Sequence, residues 1–475
     1  KNSKMMVKEI LFLLVILNPP PVIAQYRTVY VNSSLTHKEN DTRTYLQRYL
    51  VNSSFWIDDG PIFFYSGNEG DITEFWEASG WIQVLARKMQ ALIVFGEARY
   101  YGQSIPNEFG FLSTELILAD YAAALRTPNV FLPKKMNASL PVISFGGSYG
   151  GTLTTFFRAA YPDLVIGGLA ASAPIGYYDS SRWHEFNVSE FTFTNIIATA
   201  YSDCIHILNA AISAINIETN TTALIKKFHA CSLDTLTGNS TPPQNSALFV
   251  YMLESLPQLN YPYPVSGLPA YPVNAVCSAF DGLVQRDDII DTAANLTKNF
   301  FSIHDSCMPP LSEGPGNIPG DGPGLGSWGY QSCSENLHLF SSQTPIRNYT
   351  FNLTAQNSLC SSLYHIQPNI SKLTALYGGY DLPMTTTSLF FSNGALDPWH
   401  GGGFLQQFFP DSPNQFCFMP NGAHHLDLRA PNDADPQDVV KCRQAEESAI
   451  RSWLTNFYSS RSNASRIERD LDERG

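Results

Sequence analysis

An α/β core interrupted by a helical insertion is the architecture this sequence predicts, and three observations predict it. Short apolar runs alternate with helical patterns near both ends of the chain, as buried parallel strands and their crossover helices do. The middle is different in character, holding six of the eight cysteines and a Gly/Pro-rich loop. Finally, 44% hydrophobic against 15% charged residues over 475 positions is enough to bury a large core. Charge narrows the partners. The 29 Lys and Arg face 42 Asp and Glu, for a net charge of −13, and no basic run is dense enough to neutralise a phosphate backbone, so no nucleic-acid partner is expected. No apolar run of spanning length follows the N-terminal segment, so no membrane span is expected.

In chain order, residues 1–24 read as an export signal. Lys4 and Lys8 are basic, residues 10–17 are apolar, and Val22, Ile23 and Ala24 precede Gln25, with initiation expected at Met5 or Met6. Residues 25–176 form the first part of the core. Strands are expected at 61–65, 91–95, 142–145 and 165–169, with a helix capped by Thr114 and another over 153–161 that Pro162 stops. Residues 177–383 are the inserted, mostly helical cap, with a helical stretch over 192–214 and a Gly/Pro-rich loop over 309–326. The second part of the core, 384–458, carries strands at 388–391 and 415–419 and a helix with Cys442, Ala445, Ala449, Trp453 and Phe457 on one face. Residues 459–475 are polar, without an apolar period, and are expected to form a frayed tail.

Asn-x-Ser/Thr sequons at Asn32, Asn40, Asn52, Asn137, Asn187, Asn220, Asn239, Asn295, Asn348, Asn352, Asn369 and Asn463 predict glycosylation and agree with export, to a lysosomal or extracellular destination. The eight cysteines show no C-x-x-C spacing, so disulfides are expected and a metal is not. One pair follows locally: the helix face bearing Cys442, packed on the strand at 415–419, brings Cys442 to Cys417. Sequence leaves the other pairings open.

The chemistry centres on Gly146-Gly147-Ser148-Tyr149-Gly150, which follows one predicted strand and opens a predicted helix, the context of a nucleophile elbow. A serine hydroxyl needs a base, and the base needs an acid to orient it. Asp397 follows the strand at 388–391, and His424 follows the strand at 415–419, giving the order Ser, Asp, His of α/β-hydrolases. His425 is assigned a supporting place behind His424, and His400 a loop. The oxyanion hole is expected from the amide of Tyr149 and from Gly67 or Asn68 in the Gly67-Asn68-Glu69-Gly70 loop. No cofactor is implied. A lipase or esterase would use the same triad, and a hydrolase-like binding module is the reading that remains if the triad is idle.

Several motifs resemble one family. Gly67-Asn68-Glu69-Gly70-Asp71, the run from Glu97 to Gly102, Gly146 to Gly151, Ala170 to Pro174, Ser392 to Trp399 and Gly422 to Arg429 look like the lysosomal Pro-X carboxypeptidase and dipeptidyl peptidase II family, and so do Tyr261-Pro262-Tyr263-Pro264 and Trp328 to Cys333 in the insertion. The resemblance spans nearly all of the chain after the signal. It implies an α/β-hydrolase core under a helical cap, with Ser148, Asp397 and His424 as the triad, and Trp399 lining a proline pocket. It also implies cleavage after proline in short peptides, and leaves open a homodimer. It further implies the disulfides Cys204–Cys277, Cys231–Cys307, Cys333–Cys360 and Cys417–Cys442. Ala98, Thr152, Glu77 and Ala78 depart from the family pattern, where His, Met and Asn are usual, and bear on substrate fit.

The family contains both exopeptidase directions. Binding an α-ammonium needs a carboxylate, and binding a terminal carboxylate needs a cation or amides. Glu69, Asp71 and Glu77 cluster near the oxyanion loop, and Arg99 is the main basic candidate, so release of N-terminal X-Pro dipeptides is expected ahead of C-terminal release.

Overall fold

The computed structural model describes residues 25–108, 110–134, 140–238, 243–303, 306–310 and 326–472, with side chains to position 461. The predicted signal, the sequons at Asn137 and Asn239 and most of the Gly/Pro-rich loop lie outside those residues, as does the side chain of Asn463.

In chain order the strands are β1 (Arg27–Ser34), β2 (Thr44–Asn52), β3 (Ile62–Ser66), β4 (Leu92–Gly96), β5 (Val142–Gly147), β6 (Val165–Ala171), β7 (Ser342–Gln343), β8 (Asn348–Tyr349), β9 (Leu389–Gly394) and β10 (Gln415–Met419). All but β7 and β8, which form a small ribbon, join one sheet in the order β1-β2-β4-β3-β5-β6-β9-β10. β1 and β2 pair antiparallel, β2 is antiparallel to β4, and the remaining neighbours are parallel. β3, β4 and β5 are buried along their whole length, because helices cover both faces of a parallel sheet. This is the expected α/β-hydrolase core. The antiparallel pair β1–β2 was not foreseen: β1 is largely exposed or half-buried, β2 is buried from Gln47 to Asn52, and polar Gln47 and Arg48 are accommodated there through hydrogen bonds and an ion pair with Glu97.

Helices α1 (Ile72–Ala78), α2 (Gly80–Met89), α3 (Thr114–Arg126) and α4 (Tyr149–Ala160) pack on the sheet. The cap of α3 is Ser113, whose Oγ accepts from Leu116 N at 3.3 Å. The expected cap, Thr114, instead holds Tyr149 OH at 2.9 Å and donates to Glu335 of the insertion at 2.7 Å.

Between β6 and β9 the chain is mostly helical and has its own apolar cluster, including Leu208, Ile212, Phe249, Leu253 and Phe301. The single helical stretch expected at 192–214 is two helices, α5 (Thr192–Ala200) and α6 (Ile205–Asn216), bent by 103°. Cys204, at the bend, is tied to Cys277. The other bonds are Cys231–Cys307, Cys333–Cys360 and Cys417–Cys442, the pairs implied by the resemblance. No single helix among the described residues is long and apolar enough to cross a membrane.

The last helix, Gln437–Asp472, corrects two expectations. It continues through the segment read as a frayed tail, since no Pro or Gly interrupts 437–472. Its buried face comprises Val439, Cys442, Arg443, Glu446, Ala449, Ile450, Trp453 and Leu454, whereas Ala445 is exposed. Glu446 occupies the interior place because Asp427, Arg443 and Trp81 surround it. A third correction concerns Asn52. It is 6% exposed, its Nδ2 donates to the Gln25 carbonyl and its Oδ1 accepts from Ser54 N at 2.9 Å, so its amide is not offered for glycosylation, unlike the exposed Asn40, Asn187 and Asn295.

Candidate active site

The ends of β3, β5, β9 and β10 converge, as the carboxyl ends of parallel strands do where α/β sheets bind ligands. β5 delivers the chain to Ser148, and α4 leads it away. Ser148 sits at φ 57°, ψ −127°, a backbone conformation that costs free energy outside glycine and that the elbow imposes. The turn is tight enough that a Cβ on Gly146 would lie 2.0 Å from the Gly150 carbonyl oxygen, and one on Gly150 would lie 2.2 Å from Asn68 Oδ1.

Asp397 follows β9 and is fully buried. Its Oδ1 accepts from Trp399 N at 2.9 Å, and its Oδ2 is 2.8 Å from His424 Nδ1, so both oxygens are engaged. His424 follows β10, with its own backbone held on both sides: its amide donates to the Gln258 carbonyl at 3.1 Å, and its carbonyl accepts from Tyr261 OH at 3.0 Å. Facing Asp397 with Nδ1 turns Nε2 toward the cavity that Ser148 also lines. His425 is placed differently. It sits at φ 38°, its amide donates to Ser172 Oγ at 2.8 Å, and its ring lies against Gly147. Burial, with the nearby charges of His424 and Arg429, pushes its imidazole well below the usual range, so it stays neutral. His400 bonds the Asp397 carbonyl through Nδ1 at 2.6 Å.

The oxyanion expectation needs one correction. The Gly67 amide donates to the Gly96 carbonyl at 3.0 Å and is consumed within the sheet margin. The Asn68 side chain braces the elbow, donating to the Gly147 carbonyl at 2.6 Å and accepting from Tyr65 OH at 2.9 Å. Tyr149, first residue of α4, has an amide with no acceptor inside its helix.

Ser148, His424 and Asn68 open onto a cavity of about 360 Å³. One wall is aromatic: Trp399 and His338 line it with ring centres 5.3 Å apart, and Phe193 and Tyr177 back Trp399 at 4.6 and 6.2 Å. Its Nε1 donates to Gln258 Oε1 at 3.0 Å. His338, buried, is lowered to about 4 by that burial and is neutral.

Of the predicted acidic residues, only Glu69 lines the cavity. Asp71 caps α1 through Thr73 N and pairs with Arg48 at 2.6 Å, and Glu77 lies off the lining. Arg99 is also corrected. It is fully buried and forked onto Asp120, with two contacts of 2.7 Å, and donates to the carbonyls of Ser34, Leu35 and Phe111, so it holds the fold and meets no substrate. Among the lining residues given no role from the sequence, three stand out for their acid–base chemistry. Arg429 closes the Gly422 to Arg429 motif and had its signal there; Glu74 looked like an ordinary first-turn acid of α1; His338 has no neighbouring pattern at all. Burial pushes Glu69 up to about 7 and Glu74 up to about 8, the latter helped by the negative charges of Asp71 and Glu77.

With this geometry described, comparison with known proteins is direct. Residues 36–446 match the family described as serine carboxypeptidase S28. The chain is 32% identical to the lysosomal Pro-X carboxypeptidase of Bos taurus over 468 residues, covering 92% of this chain and 90% of that protein. It is likewise 32% identical to the lysosomal Pro-X carboxypeptidase of Homo sapiens, over 93% of this chain and 91% of that protein. The thymus-specific serine protease of Homo sapiens is 26% identical over 87% of this chain and 84% of its own length. The chain belongs to the serine carboxypeptidase S28 family and is a serine exopeptidase.

Proposed function

We propose that the chain cleaves short peptides after proline, with Ser148 as nucleophile, His424 as general base and acid, and Asp397 as the group that orients the imidazole. The observation that carries this reading is the 2.8 Å contact between His424 Nδ1 and Asp397 Oδ2 beside a cavity shared with Ser148. Ser148 Oγ attacks the carbonyl carbon while its proton passes to His424 Nε2; Asp397 then stabilises the imidazolium. The tetrahedral oxyanion is met by the amides of Tyr149 and Asn68. On collapse, His424 returns the proton to the leaving amine, and water repeats the sequence on the acyl-enzyme. The aromatic wall around Trp399 receives the flat, apolar proline ring.

For direction, we propose release of the C-terminal residue. The N-terminal reading drew on three acids, of which two lie off the cavity, whereas Arg429 lines it and makes no ion pair among the described residues. A guanidinium there suits a terminal carboxylate. The names of the Bos taurus and Homo sapiens relatives support the same direction. A blocked peptide ending in Pro-Phe, a free-amine X-Pro fluorogenic amide and its N-acetylated twin, assayed side by side at acid pH, test it. Cleavage of the first is expected; cleavage of the free-amine amide alone reverses the direction. Labelling by a fluorophosphonate, lost in Ser148→Ala, tests the nucleophile. Four disulfides and the recurrent sequons support an exported, lysosomal or extracellular setting.

A further inference from the structure

Two carboxyl groups on the cavity wall have no task in the reaction described above. Glu69 follows Asn68 at the end of β3, is 8% exposed, and its Oε2 has no hydrogen-bond partner. Glu74, on the first turn of α1, also has an unpartnered Oε2. Neither forms an ion pair among the described residues, although Asp71 between them pairs with Arg48 at 2.6 Å. Both line the cavity that holds Ser148 and His424. The cation on that cavity, Arg429, comes from the segment after His424 and reaches neither of them within ion-pairing distance.

Leaving a buried carboxyl oxygen unpartnered is costly, and the cost is offset when a ligand brings the missing donor. Glu69 follows Asn68, whose amide faces the scissile carbonyl in the reaction proposed above, so its Cα lies about 3.8 Å along the chain from that of Asn68, and its side chain lines the same cavity. We infer that Glu69 and Glu74 form a cation subsite, which takes the side-chain guanidinium or ammonium group of the substrate residue that precedes proline. The inference rests on reading this cavity as the peptide site and is independent of which end is released. Burial holds both carboxyls above their usual range, Glu74 with help from the charges of Asp71 and Glu77, while contacts with Asn68 and His424 partly offset the rise at Glu69.

The test is titration calorimetry of the full chain, at a pH above the raised values of both carboxyls so that they are ionised, with acetyl-Arg-Pro-amide and acetyl-citrulline-Pro-amide, which share a shape and differ in charge. The arginine peptide is expected to bind at least about tenfold more tightly, as a charge-assisted contact in a shielded site should give. Glu74→Gln and Glu69→Gln should each draw that ratio toward one, and because the ratio is taken within each variant, a general loss of binding does not imitate the result. Glu74 lies on a partly exposed helix face, so its variant decides the matter if Glu69→Gln fails to fold. Equal affinities in the unaltered protein, or a preference that persists in Glu74→Gln undiminished, would overturn the subsite. All titrations are made in a Ser148→Ala background, so binding is read without turnover, and failure of the proposed hydrolysis shows up separately, in the peptide assays.

Discussion

Asp397 has no idle oxygen: one holds the Trp399 amide and the other His424. Asp397→Asn preserves the shape and the Trp399 contact but presents an N–H to Nδ1, forcing the wrong imidazole tautomer. Turnover should fall by about four orders of magnitude with an unchanged melting curve, since the same change in a Ser-His-Asp protease has an effect of that size; comparable kcat in the variant would remove Asp397 from the mechanism. The neighbouring histidines separate in the same way. His424 faces the acid, whereas His425 is buried, neutral and packed on Gly147. His424→Ala should therefore abolish kcat, while His425→Ala should act mainly through the position of the elbow and leave more activity; the reverse ranking in single-turnover assays would exchange their roles.

At the scale of elements, the elbow depends on close approach between β5, α4 and the loop after β3. A Cβ on Gly150 would stand 2.2 Å from Asn68 Oδ1 and 2.7 Å from the Ser66 carbonyl oxygen. Gly150→Ala should cost roughly 1–3 kcal/mol in denaturant titration, as overpacking does, and should lower activity by moving Asn68; wild-type stability in that variant would show that the loop yields freely. The parallel strands were legible because burial on both faces leaves an almost unbroken apolar run; Ser148 and Asp397 were legible because each follows such a run, and His424 because it follows the short apolar edge strand β10. β1 and β2 were not, because an antiparallel margin satisfies Gln47 and Arg48 through partners distant in sequence. The same reason hid the true state of Asp71 and Arg99: a charge pattern shows which groups are present, while their partners, Arg48 and Asp120, are chosen by the tertiary fold. Ala445 and Glu446 exchanged places for an analogous cause, a buried acid stabilised by neighbours from two other segments.

For the whole molecule, buried titratable groups set a direction for stability against pH. Glu69 is raised to about 7, Glu74 to about 8 and Glu446 well above its usual value, each chiefly by burial. Acids raised in the folded state favour folding on the acid side, and that gain is lost as pH climbs through their folded values. His338 and His425, lowered by burial, act in the opposite sense, but only below the ordinary histidine value of 6.5. Between 6.5 and 8 the carboxyls alone therefore dominate this group, and Tm should fall across that interval. Differential scanning calorimetry at both ends, with Glu74→Gln expected to narrow the difference, checks it; a Tm that rises from 6.5 to 8 would contradict the assignment.

The register of β6 on β9 places Ala171 beside Ser392 across the entire insertion. A ribosome working at about 5–20 residues per second separates the emergence of those two strands by roughly ten to forty seconds. Throughout that interval the nascent chain carries the nucleophile with neither acid nor base, beside an apolar strand edge that awaits its neighbour. Hydrolytic competence thus arrives with the last strands to be made, and a product truncated before β9 would hydrolyse neither its neighbours nor itself.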